Sequence, residues 1–179
     1  MVKGRQTEGA VRETLEEVYR THRQGLYTLA LSITRCPNRA EDAVQDAFAR
    51  LWQSDARPGD AVPYVFAAVR HAAIDLARRA ATAGRHEPAS IFNGVPRAPA
   101  DPAATVIDAE MHRRIRDAVE SLPQAEREAV VLKVYGGLTY EQMADALGEP
   151  LPTVASRYRR ALETLSRRIK GIVEVSNDK

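Results

Sequence analysis

The chain has 179 residues, 44% of them hydrophobic, enough to bury a core as one medium domain or two small ones and too much for a disordered protein. Lys and Arg number 26 against 24 Asp and Glu, a net charge of +2, so a nucleic-acid signal has to sit in local clusters rather than in a global basic excess. The single cysteine, Cys36, excludes an internal disulfide and a cysteine-rich zinc site, and no run nears the roughly 18 apolar residues of a membrane span, so a soluble cytoplasmic protein is expected.

From Val11 the apolar residues Val11, Leu15, Val18, Leu26, Leu29 and Ile33, with His22 in the row, trace one face of a long amphipathic helix that Cys36-Pro37 ends. Gly25 is expected to interrupt it. Asn38 followed by Glu41 reads as a capping box for a second helix from about residue 39 to Gln53, with Val44, Ala47, Phe48 and Leu51 on its apolar row. After the turn-rich stretch Ser54 to Asp60, Pro63 suits the first turn of a third helix, whose row is Val62, Phe66, Val69, Ala73, Leu76 and Ala80. Between Gly84 and Thr105 the periodicity vanishes among four prolines and two glycines, a composition that predicts a linker between domains.

Helical spacing resumes at Val106 and runs through Met111, Ile115, Ala118, Val119 and Leu122. Pro123 then opens a helix that Gly136-Gly137 terminates. Thr139 with Gln142 forms a capping box for a short helix closing at Gly148, and Pro152 opens the last helix, with Val154, Tyr158, Ala161, Leu162, Leu165 and Ile169 inward. A short capped helix, a turn and a second helix are the layout of a helix-turn-helix that places its second helix in a major groove. That helix carries Arg157, Arg159, Arg160, Arg167, Arg168 and Lys170 against only Glu163, a face suited to phosphates and guanine edges. Charged outer faces are also ordinary on solvated helices; the preceding capped helix and turn favour the DNA-binding reading.

In the first half, Asp42, Gln45, Asp46 and Ala49 lie away from the apolar row of their helix, beside Phe48 and Trp52. Alone, such a face is a solvated helix surface or a docking patch for a protein. The third helix has the opposite sign, with Arg70, Arg78, Arg79 and nearby Arg85 against Asp75, and Tyr64 and Phe66 near its start. Aromatics beside cations can stack bases and hold a single-stranded backbone, although Phe66 sits on the apolar row.

Assembled, these residues resemble the extracytoplasmic-function (ECF) group of the sigma-70 family of bacterial RNA polymerase sigma factors. The resemblance rests on Leu26 to Ala30, Ala40 to Trp52 and Val69 to Arg79 in the first half, and on Leu122 to Val130, Gly137 to Ala144 and Pro152 to Ala161 in the second. It implies an all-α protein of two small helical domains: a region 2-like bundle over 11–83, a flexible linker over 84–105 and a region 4-like helix-turn-helix domain over 106–172. It also implies that Asp42, Gln45, Asp46 and Phe48 bind the clamp helices of the polymerase β′ subunit, with the β subunit a further contact of the core enzyme. By the same resemblance Tyr64, Arg70, His71, Arg78 and Arg79 meet the melted minus-ten strand, the loop from Ser54 to Asp60 captures a flipped base, and Thr153, Ser156, Arg157, Arg159 and Arg160 read the minus-thirty-five duplex. Ala155 stands where the family often has Lys or Arg, His71 where Asn is frequent, and Pro63-Tyr64 near a common Trp.

The implied protein is no enzyme: it needs no cofactor or metal, and an anti-sigma factor is a further partner of the group. A stand-alone helix-turn-helix regulator would explain residues 122 to 170 but leave the Asp42 to Trp52 face unused. A carboxylate metal enzyme would require the Glu-x-x-His pairs that this chain lacks.

Overall fold

The computed structural model describes residues 3–54, 58–84, 114–115 and 117–177, with side chains described between Thr14 and Ile169. Every regular element among the described residues is helical, as expected of an all-α chain. The loop residues 55–57, most of the segment after Gly84 and the row from Val106 to Met111 lie outside the described set.

Helix α1 (Lys3–Thr34) starts well before Val11 and passes unbroken through Gly25. It ends where Arg35 turns into the left-handed region at φ 54°, an arrangement unfavourable for a side chain with a Cβ by about 1–2 kcal/mol. Helix α2 (Pro37–Gln53) follows at once. Its N-cap is Cys36 and no side-chain cap bond forms, so the expected Asn38–Glu41 capping box is absent. The reason is Pro37, whose fixed φ suits the first helical position and starts the helix two residues early; Ala40 N–H already bonds the Cys36 carbonyl at 2.9 Å. Helix α3 (Ala61–Thr82) is capped by Asp60, whose carboxylate accepts from Val62 N–H, with Pro63 in the first turn.

In the second half, residues 114–115 and 117–120 are helical, and Leu122 leads into α4 (Gln124–Val134). Helix α5 (Tyr140–Leu147) opens with the expected capping box, Thr139 Oγ1 accepting from Gln142 N–H and Gln142 Oε1 from Thr139 N–H. Gly148 closes it at φ 66°, leaving a tight turn before α6 (Leu151–Asn177), which begins one residue ahead of Pro152. On α6 the packed row is Val154, Tyr158, Ala161 and Leu165. Leu162, expected inward, is 44% exposed, because one step along a helix from buried Ala161 turns a side chain by about 100°.

One hydrophobic core runs through both halves. Leu26, Leu29, Phe66 and Val69 from α1 and α3 belong to the same buried cluster as Ala129, Leu132, Leu138, Met143 and Val154. Helices α4 and α5 therefore pack directly on α1 and α3. Thr139→Ala, which removes the α5 cap, should lower stability by about 1 kcal/mol and the midpoint of thermal unfolding by ~2–4 °C, read by circular dichroism.

Candidate nucleic-acid and polymerase interface

The outer face of α2 presents Asp42, Gln45 and Asp46 to solvent, as expected. Phe48 does not join them: it is buried, with Tyr19 edge-on at 5.1 Å and Trp52 at 6.1 Å. Its place on the apolar row points it inward, where its ring lies against the exposed Trp52 ring. Beside this face Tyr19, Arg23, Gln24, Tyr27, Glu41, Val44 and Gln45 line a shallow groove of about 280 Å³. Burial, and secondarily the nearby Glu41, raise the Tyr27 phenol pKa, keeping its hydroxyl protonated.

On α3, His71, Arg78 and Arg79 are exposed, whereas Tyr64 is partly buried against the core. Arg70 is already engaged. Its Nε lies 2.7 Å from Oε2 of Glu128 on α4, a carboxylate that is itself buried and also accepts from Gln124 Nε2 at 2.7 Å. At the start of α6, Ser156 Oγ bonds back to the Thr153 carbonyl, and Arg159 and Arg160 are exposed. Arg157 pairs at 2.5 Å with Glu149 in the preceding turn, so the turn orients this guanidinium.

The two halves of the chain meet through polar contacts that periodicity did not reveal. Arg127 on α4 is buried and donates to the Glu120 and Leu122 carbonyls at 3.1 and 2.8 Å, and across to the Ser32 carbonyl of α1 at 3.3 Å. These are carbonyls near helix C-termini, which lack intrahelical partners and carry the negative end of the helix dipole. Arg35 reaches from the end of α1 to the same Glu120 carbonyl at 3.2 Å. Burial, and next the Arg35 charge, push the Arg127 pKa down to about 10, so it remains cationic at neutral pH. His22 Nδ1 donates to the Gly136 carbonyl at 3.0 Å while its ring stands edge-on to Phe66 at 5.8 Å. Asp60 joins the set: one carboxylate oxygen caps α3 and the other accepts from Gln142 Nε2 of α5 at 2.9 Å.

Arg127, Glu128, His22 and Gly25 were not among the expected functional residues. The unbroken apolar run Ala129 to Leu132 was the available signal, since a helix that is apolar on every side is covered on every side.

A helical bundle with exposed carboxylates on α2, packed on a helix-turn-helix whose second helix exposes guanidiniums, has the layout of a DNA-binding protein. Comparison with known proteins gives the family. The Sigma-70 region 2 model matches residues 18–82 and the Sigma-70, region 4 model matches residues 112–165, together about two thirds of the chain. An ECF RNA polymerase sigma factor SigK of Mycolicibacterium vanbaalenii is 29% identical over 160 residues, covering 86% of this chain and 80% of that protein. An ECF RNA polymerase sigma factor SigE of Mycolicibacterium smegmatis is 29% identical over 152 residues, covering 84% of this chain and 59% of that one. Among solved structures, the sigma factor RpoE in complex with the anti-sigma factor NepR from Bartonella quintana has the same fold, with a TM-score of 0.66 and 23% identity over 89% of this chain and 96% of that one. The chain belongs to the sigma-70 family of RNA polymerase sigma factors, in its extracytoplasmic-function group. It is a transcription initiation factor that binds core RNA polymerase and directs it to promoter DNA.

Replacing Arg127 by Met keeps most of the side-chain volume and removes every donor. The variant should lose about 3 kcal/mol in urea unfolding, because buried carbonyls are left unpaired; Lys at this position should recover under half of that, since a point charge does not reproduce the planar fork.

Proposed function

We propose that the chain divides promoter initiation among three of its surfaces, region 2-like over 11–83 and region 4-like over 106–172, with 84–105 as the tether between them. The exposed Asp42, Gln45 and Asp46 of α2 dock on the β′ clamp helices, with Trp52, propped by Phe48, extending the contact. Tyr64, Arg70, His71, Arg78 and Arg79 of α3 hold the melted minus-ten strand, and the segment from Ser54 to Asp60 takes up a flipped base. Thr153, Ser156, Arg157, Arg159 and Arg160 enter the minus-thirty-five major groove. The observation that supports this reading is the bias of charge by helix: Glu41, Asp42 and Asp46 face outward from α2, where Arg50 is the exposed cation of the last turn, while Arg78 and Arg79 of α3 and Arg159 and Arg160 of α6 face outward from theirs.

The work is done by binding. Duplex contacts from α6 fix the register of polymerase on the promoter, because guanidiniums at base edges specify sequence while those at phosphates only position. Strand opening is favoured because extruded bases gain stacking and electrostatic contacts on α3 that the duplex denies them. No bond is made or broken by this chain, and its place of action is where the chromosome is transcribed, the cytoplasm. The RpoE of the Bartonella complex is held by an anti-sigma factor; a partner of that class fits this chain as well, with the groove beside Tyr19 and Gln45 as part of its footprint.

The test is transcription by core polymerase on a promoter library with start-site mapping. Asp46→Ala should abolish new starts and core binding while leaving duplex binding intact. Arg160→Ala should keep core binding but weaken promoter binding ~5–150-fold, the range of about 1–3 kcal/mol for one lost base contact. If the unaltered chain binds duplex yet yields no new starts, it is a conventional regulator instead.

A further inference from the structure

The turn of the helix-turn-helix holds a carboxylate that the proposed function leaves without a role. Glu149 stands between Gly148, at φ 66°, and Pro150. Its backbone is fixed from both sides. Gly148 N–H bonds the Asp145 carbonyl at 3.3 Å and Glu149 N–H the Ala144 carbonyl at 3.0 Å, the paired closure of a Schellman motif, while the proline that follows restricts Glu149 to extended conformations. The turn therefore sets the direction in which the side chain departs. It reaches Arg157 in the second turn of α6, where Oε2 lies 2.5 Å from Nη1.

This ion pair is partly shielded, with side chains 23% and 25% exposed. By contrast the Arg159–Glu163 pair, 3.9 Å apart with side chains 74% and 62% exposed, is screened by water and holds nothing in place. Arg157 shares one helix face with Thr153, Ser156 and Arg160, which follow each other at steps of three and four. Covalent geometry decides what the guanidinium keeps for DNA. Nη1 lies on the Cδ side of its plane, so a carboxylate there leaves the Nε–Nη2 edge, and no group among the described residues takes that edge. Its two parallel N–H donors match the O6 and N7 acceptors of guanine.

We propose that Glu149 is a positioning residue that determines specificity: it presets the Arg157 guanidinium so that the open edge reads one guanine of the minus-thirty-five element, and it keeps this cation from settling on a phosphate. The inference rests on the proposed function for the placement of α6 in the major groove. An unrestrained arginine at a groove wall meets either a base edge or a phosphate, and phosphate contacts carry no sequence information. With Glu149 on Nη1 the plane of the fork is set before DNA arrives, so binding loses less side-chain freedom. The carboxylate repels a phosphate that approaches the same cation. An uncharged guanine edge meets no such repulsion.

The test uses holoenzyme reconstituted from core polymerase and the full chain, with promoter duplexes randomised over the minus-thirty-five element. It reads the base preference at each position and the salt dependence of binding. Glu149→Gln is nearly isosteric and leaves the turn backbone unchanged. It should lower the preference for guanine at one position by about fivefold or more, the low end of what a bidentate pair gives, and leave the other positions within about twofold. Binding to duplex that lacks the element should rise by up to about eightfold at ~0.1 M salt, and the slope of log affinity against log salt should steepen by about one, as Arg157 takes a phosphate. Arg157→Ala should lose preference at the same position. Adding Glu149→Gln to it should change that position no further, because Glu149 acts through Arg157.

An unchanged preference and salt slope in Glu149→Gln, with the position lost in Arg157→Ala, would overturn the proposal and leave the promoter reading standing. A further shift in the double variant would mean that the carboxylate meets a base itself, which also overturns it. Uniform weakening at every position with a lower thermal midpoint would reduce Glu149 to a support of the turn. Preferences untouched in Arg157→Ala as well would remove Arg157 from the proposed function, and the proposal with it.

Discussion

The structure depends on one buried cation. Arg127 gathers carbonyls from two helix ends, Glu120 and Leu122 on its own side and Ser32 at the end of α1, and so ties the second half of the chain to the first. A guanidinium suits this place because it presents five donors in a fixed plane and stays charged when buried. The ends of α1 and of the helical turn over 117–120 can therefore be buried together without orphaned acceptors. Neighbouring Arg35, in its left-handed turn, serves the same Glu120 carbonyl, so the sharp entry into α2 and the closure of the two halves share one acceptor.

From that tie follows the shared core, and from the core the placement of the functional surfaces. The acidic face of α2 points away from the seam and is open in the packed state. The cationic face of α3 is divided, with His71, Arg78 and Arg79 open and Arg70 bound to Glu128. The leading turn of α6 is open at Arg159 and Arg160 and braced at Arg157. Arg78, Arg79, Arg159 and Arg160 are thus left open to solvent, while Arg70 and Arg157 are each paired with a carboxylate.

Much of this was legible in the sequence. The apolar rows place α1, α2 and α3, and the Thr139–Gln142 capping box and Gly148 mark the helix-turn-helix almost to the residue, because caps and left-handed glycines are local chemistry. The misreadings share a cause. Asn38 looked like a cap because side-chain type alone does not reveal that Pro37 has already begun the helix. Phe48, a docking residue by resemblance, is turned inward by its own helical phase in the free chain. Leu162 looked buried because an apolar side chain one step from Ala161 is ambiguous in phase. The seam was illegible for a different reason: periodicity reports which face of a helix is covered, not what covers it. Glycine at position 25 reads as a weak point in a helix until a second backbone is seen against it.

The central claim is that buried Arg127 holds the two halves of the chain in one packed unit. Distance distributions between spin labels at exposed Thr82, at the end of α3, and exposed Leu162, on α6, test it directly, with Cys36 replaced by Ala. The account predicts one narrow, short distribution for the unaltered protein and a broader one reaching longer distances in Arg127→Met. An equally narrow, short distribution in Arg127→Met would contradict it.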